Sequence, residues 1–304
     1  MLTPGSRYVV RTVNRQKNPS HYQVEFPVSL TSDSDRPKTT LRWVRVDCGT
    51  VDGNPIPNNP ILSSEPTSAS ALSNANTVVS ASTRGESKAG HFLLAISWQP
   101  AFCETHRLKP ECRTQAPERY DSTHFSLHGL WPQPIENAYC GVNMVTKSLD
   151  RKKKWHLLPR PKLSKSLRNR LRQSMPGTAS SLERHEWIKH GTCYSDGPEE
   201  YFSESLKLLE QVNSSALRDK LTANIGTTID RNTVIGLFEN SFGSGTGKFM
   251  GLRCDRGGRL TEIWINLYGK IEDSTRLAEL LQNARPGRSN CRNTIMIDAS
   301  GFSD

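Results

Sequence analysis

The sequence predicts an α+β fold for most of the chain, on three observations. Short, largely apolar runs predict strands at residues 91–98, 124–131 and 260–268. Leu163, Leu167 and Leu171 recur every four residues, which predicts a helix with one apolar face. These strands and helices do not alternate as regular strand-helix-strand units, so an α+β fold is favoured over a doubly wound parallel sheet.

A further helix is predicted from its start and stop signals. Ser180 and Glu183 have the spacing of a capping box, in which each side chain bonds a backbone N–H at the start of the helix. Gly191 is a residue type that commonly ends a helix. We therefore expect one helix that carries HEWIKH (residues 185–190) and ends at Gly191.

Composition divides the chain into three parts. Residues 54–83 contain seven Ser, four Pro and no Lys, Arg or aromatic residue, so they cannot bury enough apolar surface to offset the entropy of ordering. We expect residues 54–89 to form a Ser/Pro-rich linker. Extended runs before the linker lie at residues 8–13, 21–30 and 41–46. They predict a small β-rich module of unknown role over residues 1–53, followed by the main domain over residues 90–304.

The chain of 304 residues is basic. Forty Lys and Arg residues against 30 Asp and Glu residues give a net charge of +10, which favours polyanionic partners such as nucleic acid or an acidic membrane surface. No run approaches the ~20 apolar residues of a membrane-spanning helix, and the amino terminus lacks the apolar stretch of a secretory signal. We expect no membrane span, and an export signal that is missing or already removed.

Seven cysteines indicate disulfides rather than a metal ribbon or a thioredoxin-like redox pair. None of them forms a C-x-x-C pair, and disulfides would place the chain in an oxidising compartment. Their odd number leaves one thiol unpaired, and Cys48 is the natural candidate because it lies alone in the first part of the chain.

The segment HEWIKH gathers groups that can transfer protons and stabilise negative charge. On a helix, Lys189 and His190 lie three and four residues beyond Glu186 and share its side, with His185 at the edge of the group. Two imidazoles, a carboxylate and an ammonium are sufficient for acid-base chemistry on a phosphoryl group.

Two other interpretations of these histidines stay open at this point. A solvated, charged helix face would explain the cluster equally well, and a core histidine is the default for His128 alone. A zinc site of the H-E-x-x-H type is disfavoured, because its second histidine would stand where Lys189 is and the ammonium repels a dication.

The two segments together resemble a known family. HGLWP (residues 128–132) and HEWIKHGTC (residues 185–193) are similar to the two active-site segments of the ribonuclease T2 family, and the similarity covers roughly residues 90–300. The resemblance implies a central antiparallel sheet flanked by helices. It also implies a secreted or periplasmic endoribonuclease that requires no metal and no other cofactor.

The resemblance also implies a role for each matched residue. His190 matches the general base that takes the proton of the ribose 2′-OH, and His128 matches the general acid that protonates the 5′-oxygen. His185 matches a phosphate-contacting imidazole, and Glu186 and Lys189 match groups that support the pentacovalent phosphorane. Cleavage of single-stranded RNA would give a 2′,3′-cyclic phosphate and then, more slowly, a 3′-phosphate.

Base binding is predicted to be of low specificity. The resemblance makes Trp131 and Tyr139 candidates for stacking on a base, a contact that tolerates any sequence. Gln133 stands where several family members have an Asp that binds the base, and its amide both donates and accepts hydrogen bonds. Gln99 is a weaker candidate for a second base site.

The resemblance further implies a disulfide between Cys140 and Cys193, which would hold the two active-site segments together. By order along the chain, the remaining plausible pairs are Cys103 with Cys112 and Cys254 with Cys291, although sequence alone does not determine connectivity.

A basic stretch lies between the two motifs. Residues 151–172 contain ten Lys and Arg residues and no acid, which indicates either a solvated face or a surface that binds polyanions such as RNA. We expect a monomer that binds RNA. The rival functions are a nucleic-acid-binding protein without significant turnover and a metal-dependent nuclease.

Overall fold

The structure is a computed structural model that divides the chain into two compact units, Met1–Glu86 and Ser87–Asp304. The residues that it describes are 7–13, 21–27, 39–45, 49–52, 78–81 and 90–302.

Five antiparallel strands form the sheet of the first unit, in the order β3-β2-β1-β5-β4. They are β1 (Arg7–Val13), β2 (His21–Pro27), β3 (Thr39–Arg45), β4 (Gly49–Asp52) and β5 (Val78–Ala81). Val10 and Val24 are paired across β1 and β2, and both are buried. The first three strands fall on the runs predicted to be extended.

Strand β5 differs from the sequence prediction. It lies within residues 54–89, which composition predicts to be a linker, yet it pairs with both β1 and β4. The prediction is wrong at these four residues, because two consecutive β-branched residues, Val78 and Val79, favour a strand even in a Ser-rich context. Residues 53–77 and Cys48 lie outside the described part of the chain.

The second unit is built on a four-stranded antiparallel sheet, in the order β7-β6-β10-β9, and a separate pair of short strands, β8 and β11. The strands are β6 (Gly90–Ser97), β7 (Ser126–Pro132), β8 (Thr228–Asp230), β9 (Met250–Cys254), β10 (Leu260–Gly269) and β11 (Thr294–Met296). The three predicted strands correspond to β6, β7 and β10. The predicted α+β class, with a central antiparallel sheet and helices, is confirmed.

Strand β10 shows how this sheet separates core from site. Ile263, Ile265 and Leu267 are fully buried, as expected for one face of an alternating strand. Glu262 and Trp264 alternate with them, so their side chains lie on the opposite face. That face carries the functional groups described below.

Ten α-helices flank the sheet in the described part of this unit. They are α1 (Gln99–Thr105), α2 (Pro110–Arg113), α3 (Met144–Arg151), α4 (Lys165–Ser174), α5 (Leu182–Glu186), α6 (Thr192–Tyr194), α7 (Pro198–Asn213), α8 (Ala216–Thr222), α9 (Arg231–Phe242) and α10 (Leu277–Leu281). Helix α4 is the predicted leucine helix: Leu167 and Leu171 are buried, and Ser164 caps its first turn, whereas Leu163 precedes the helix.

The helix that carries HEWIKH differs from its prediction at both ends. Ser181 precedes it in a left-handed conformation (φ 64°) without a side-chain cap, and Ser180 Oγ donates instead to Glu111 Oε2 at 2.5 Å. The predicted capping box is therefore wrong. The helix also does not end at Gly191, because α5 continues through a π-helical turn, Trp187–Gly191, into α6.

Three disulfides join the cysteine pairs that were predicted as plausible: Cys103–Cys112, Cys140–Cys193 and Cys254–Cys291. They fit an oxidising compartment. Among the described residues, the search for a helix of sufficient length and apolarity to traverse a bilayer finds none.

Candidate active site

A β-bulge in β7 positions the first catalytic candidate. Adjacent residues of β6, Ala95 and Ile96, pair with Gly129 and Leu127, so His128 is an extra residue between them. A bulge interrupts the alternation of a strand and redirects a side chain. Because of this bulge, Leu127 and Leu130 both lie in the core although they are three residues apart, and His128 and Trp131 both lie on the polar face.

The glycine of HGLWP permits a close approach between the two motifs. A Cβ atom at Gly129 would lie 1.9 Å from Glu186 Oε2 and 2.6 Å from Trp131 Nε1. Glu186 is fully buried, and its Oε2 accepts a hydrogen bond of 2.8 Å from Trp131 Nε1. Only glycine leaves room for this carboxylate against the strand.

The second motif spans the junction of α5 and the π-helical turn. His185 and Glu186 end α5, and Lys189 and His190 lie in the wider turn that follows. Single π-helical turns within α-helices are frequent at functional sites. The loop after β7 is attached here, since the Tyr139 N–H donates to the Lys189 carbonyl at 2.8 Å, beside the Cys140–Cys193 bridge.

Trp131 brings the two histidines of the proposed acid-base pair together. Its ring centroid lies 5.1 Å from that of His128, edge to face, and 5.3 Å from that of His190, nearly parallel. Glu186 Oε1 lies 3.7 Å from His128 Nε2 and 3.8 Å from His185 Nε2. The four catalytic candidates His128, His185, Glu186 and His190 therefore form one cluster, with Lys189 next to His190.

Glu262 on β10 is a member of this site that the sequence analysis missed. His128 Nδ1 donates to Glu262 Oε1 at 2.6 Å, which leaves Nε2 as the free nitrogen of this ring. Trp264 Nε1 and Ser97 Oγ donate to the same carboxylate at 2.8 and 3.3 Å and fix its orientation. The available signal was the one charged residue of the strand, on the face opposite the core.

Asp150, at the end of α3, holds the third histidine and was also missed. His185 Nδ1 donates to Asp150 Oδ1 at 2.7 Å, and the Tyr139 hydroxyl donates to Oδ2 at 2.7 Å. Trp155 stacks on His185 with ring centroids 4.5 Å apart. The sequence signal was a single acid directly before the basic stretch 151–172. In the structure, Asp150 is buried rather than solvated.

The carboxylates favour the protonated form of His128. Burial by itself lowers the pKa of this imidazole, but the hydrogen bond to Glu262, with the charges of Glu186 and Glu262, outweighs burial and raises the pKa above 6.5. In turn, burial of Glu262 is outweighed by its bond to His128, and the pKa of Glu262 lies below its usual value.

The environment of His190 has the opposite effect. Its side chain is buried, and this burial lowers the pKa of His190 to about 2, with the charges of Lys189 and the two neighbouring histidines acting in the same direction. His190 is therefore neutral under conditions in which His128 carries a proton. One imidazole can accept a proton while the other can donate one.

The substrate-binding candidates are placed differently from one another. Tyr139 has a left-handed backbone (φ 60°), and burial together with the bond to Asp150 raises the pKa of its hydroxyl to about 12. Gln133 Nε2 donates to the Trp131 carbonyl at 3.3 Å. Gln99 is buried in α1, where its Nε2 contacts Cys103 Sγ at 3.6 Å; the contacts described for it do not include the histidine cluster.

Part of the cluster also has the spacing of a metal site. His185, Glu186 and His190 each offer one ligand atom, and these atoms lie within 4.8 Å of one another. The charge of Lys189 acts directly on His190 and opposes a cation at this position. Chelation is therefore a discriminating test of the reaction.

The described groups have the composition of an acid-base site, with two imidazoles of opposite pKa shift in one cluster. The model of the Ribonuclease T2 family matches residues 89–282, and the chain belongs to this family. It is an endoribonuclease, and the family assignment predicted from HGLWP and HEWIKHGTC is confirmed.

Several known proteins are similar to the chain. Ribonuclease I of Escherichia coli (strain K12) is 30% identical over 234 residues, which are 69% of this chain and 87% of that protein. Ribonuclease S-2 of Nicotiana alata is 29% identical over 180 residues, 57% of this chain and 74% of that protein. The solved structure of Actibind, a T2 ribonuclease, covers 72% of this chain and 92% of its own, with 17% identity and a TM-score of 0.46.

Proposed function

We propose that His190 and His128 are the general base and the general acid of RNA cleavage. His190 takes the proton of the ribose 2′-OH, the 2′-oxygen attacks phosphorus, and the bond from phosphorus to the 5′-oxygen breaks as His128 protonates that oxygen. The observation that carries this assignment is the opposite charge environment of two imidazoles that contact the same indole.

The remaining groups of the cluster are assigned to the phosphate. His185 presents Nε2 toward Glu186 Oε1, at 3.8 Å, while its Nδ1 is held by Asp150. Lys189 supplies positive charge beside His190 and supports the pentacovalent phosphorane. Because the 2′-OH is tethered beside phosphorus, positioning provides much of the rate.

Base selection is proposed to be weak. One side of Trp131 already lies against His190, and its N–H is bonded to Glu186, so this indole both positions the histidines and limits where a base can stack. Tyr139 and Gln133 offer a neutral hydroxyl and an amide rather than a charged group. The Tyr139 hydroxyl and Gln133 Nε2 already donate to Asp150 and to the Trp131 carbonyl, which leaves stacking, a contact that tolerates any sequence.

The test is end-group analysis of a defined single-stranded RNA after incubation in excess EDTA. We expect 2′,3′-cyclic phosphate ends, slow conversion to 3′-phosphates, cleavage after all four bases and no cleavage of DNA, which lacks the 2′-OH. Loss of cleavage in EDTA that is restored by a divalent cation would contradict the proposal in favour of the metal-dependent alternative. No cleavage either in EDTA or with a divalent cation would favour the other alternative, a nucleic-acid-binding protein without significant turnover.

We further propose that the enzyme acts as a secreted or periplasmic monomer. The disulfides Cys140–Cys193 and Cys254–Cys291 join segments 53 and 37 residues apart, and such bridges persist only under oxidising conditions. Localisation of the tagged chain together with light scattering of the purified protein checks both statements.

A further inference from the structure

A cleft lined by arginine lies in the second unit, Ser87–Asp304. It has a volume of about 700 Å³ and lies between α2, the segment before α4, α4 itself, the turn Pro176–Ser180 and the start of α5. None of the catalytic candidates is among its lining residues. Its five arginines are Arg119, Arg160, Arg168, Arg172 and Arg184.

The charges of this arginine cleft are only partly neutralised. Arg119 forms a two-pronged salt bridge with Asp121 and is part of the scaffold. Arg160, Arg168 and Arg172 come from the basic stretch 151–172 and are exposed. Within the described part of the chain, the ion pairs of 4.0 Å or less do not include these three guanidinium groups.

The two acids of the cleft offset only part of this charge, since the charges of Arg184 and Arg160 both act on Glu183. Glu111 is buried and accepts a hydrogen bond from Ser180. Glu183 lies beside Arg184, and burial raises the pKa of its carboxyl group. The cleft is therefore an electropositive concavity lined by groups that bind phosphate through two parallel N–H donors.

The arginine cleft and the active site both take residues from helix α5. Glu183 and Arg184 line the cleft and directly precede His185. Arg184 Nη1 also donates to the carbonyls of His156 and Leu158, at 2.6 and 3.0 Å. These bonds anchor the turn that follows Trp155, the ring that stacks on His185.

We propose that the arginine cleft binds phosphates of single-stranded RNA a few nucleotides from the scissile linkage. This proposal rests on the proposed function, because it assumes that the scissile phosphate lies between His128 and His190. The cleft offers guanidinium groups and aliphatic side chains but no aromatic ring among its lining residues, so it binds the backbone without regard to sequence. The enzyme then prefers a polymer over a dinucleotide.

The test compares two double variants that remove the same charge. Arg160→Ala/Arg172→Ala empties the cleft of two exposed cations that anchor no other described group. Arg170→Ala/Lys220→Ala removes two exposed cations outside it, of which Arg170 has only a solvent-exposed ion pair with Glu210. Each protein is assayed on a dinucleotide and on a 20-nucleotide RNA over a series of salt concentrations.

We expect the cleft variant to raise KM for the 20-nucleotide RNA about tenfold and to reduce the slope of log KM against log salt by ~1.4, or ~0.7 for each lost phosphate contact. Its kinetics on the dinucleotide should match those of the wild type, and the control variant should change neither substrate by more than about twofold. Equal losses in both variants would show a long-range charge effect and overturn the proposal, as would an unchanged KM. Failure of the proposed function has a different signature, since the wild type would then not cleave the dinucleotide in excess EDTA.

Discussion

The active site has a histidine on each of two sides, and the surroundings shift the pKa of these two histidines in opposite directions. On the strand side, His128 occupies a bulge and lies within reach of two carboxylates, Glu262 and Glu186. On the helical side, His190 is buried in a π-helical turn beside Lys189 and two further imidazoles. In the proposed mechanism, the neighbours of each histidine, rather than the identity of the residue, determine which histidine donates and which accepts a proton.

The strongest test of this comparison removes each imidazole in turn. His128→Ala and His190→Ala should each reduce kcat by about 10²- to 10⁴-fold, the contribution of one positioned acid or base. Only His128→Ala should recover with a substrate whose leaving group needs no protonation, such as a p-nitrophenyl ester of a nucleoside 3′-phosphate.

The matched control is His106→Ala, because His106 is exposed and contacts only its own helix region. It should retain wild-type activity. Equal recovery of both active-site variants with the activated substrate would reverse the assignment of acid and base.

A smaller effect is expected when only the neighbour of His128 is changed. Glu262→Gln keeps the shape but removes the charge that raises the pKa of His128, so kcat should fall about tenfold, part of the contribution of the acid. The wild-type rate should decline only above pH 6.5, as His128 loses its proton, and the variant should decline at lower pH.

The exposed Glu210→Gln is the control for this change, and its pH profile should match that of the wild type. A wild-type rate that is flat from pH 4 to 9, or an unshifted basic limb in Glu262→Gln, contradicts the role of the carboxylate.

The same contrast predicts opposite effects of pH on stability. His128 has a raised folded pKa, so its contribution is complete below pH 6.5 and is lost as the pH rises through the folded value. His190 has a folded pKa of about 2, so below pH 6.5 the unfolded chain alone takes up a proton and the folded state loses up to about 1.4 kcal/mol per pH unit.

Urea unfolding of both alanine variants at pH 5 and pH 7.5 measures this difference. The stability deficit of His128→Ala relative to the wild type should be larger at pH 5, whereas the deficit of His190→Ala should be smaller there. Parallel changes in the two variants would show that the environments are not opposite.

The smallest effect is expected at the lysines of the basic stretch. Lys152, Lys153 and Lys154 are exposed and do not line the arginine cleft. Their joint replacement by Ala should raise KM on long RNA and weaken its salt dependence, but by less than about threefold. A larger effect than that of Arg160→Ala/Arg172→Ala would indicate that RNA binds at these three lysines rather than in the cleft.

The motifs predicted the family and most residues of the site, while four features depended on the folded chain. Glu262 lies 134 residues from His128 in sequence, and pairing over such a distance leaves no local pattern. Asp150 is also far from its partner His185 in sequence, and its local sequence does not indicate that its carboxylate is buried. The π-helical turn was missed because a spacing of three or four residues in the sequence also fits a regular α-helix. Strand β5 was missed because the Ser/Pro-rich composition of residues 54–89 was given more weight than the two valines of the strand.

The bridge Cys140–Cys193, with the adjacent main-chain bond from Tyr139 to Lys189, ties the loop after one motif to the turn that carries the other. Of these two connections, the disulfide depends on the redox state of the surroundings, whereas the chemistry of the imidazoles does not. In a newly made chain whose thiols are still reduced, the catalytic candidates are present but their relative positions are less constrained. We expect full activity only after this bridge has formed, because until then only the main-chain bond joins the two segments.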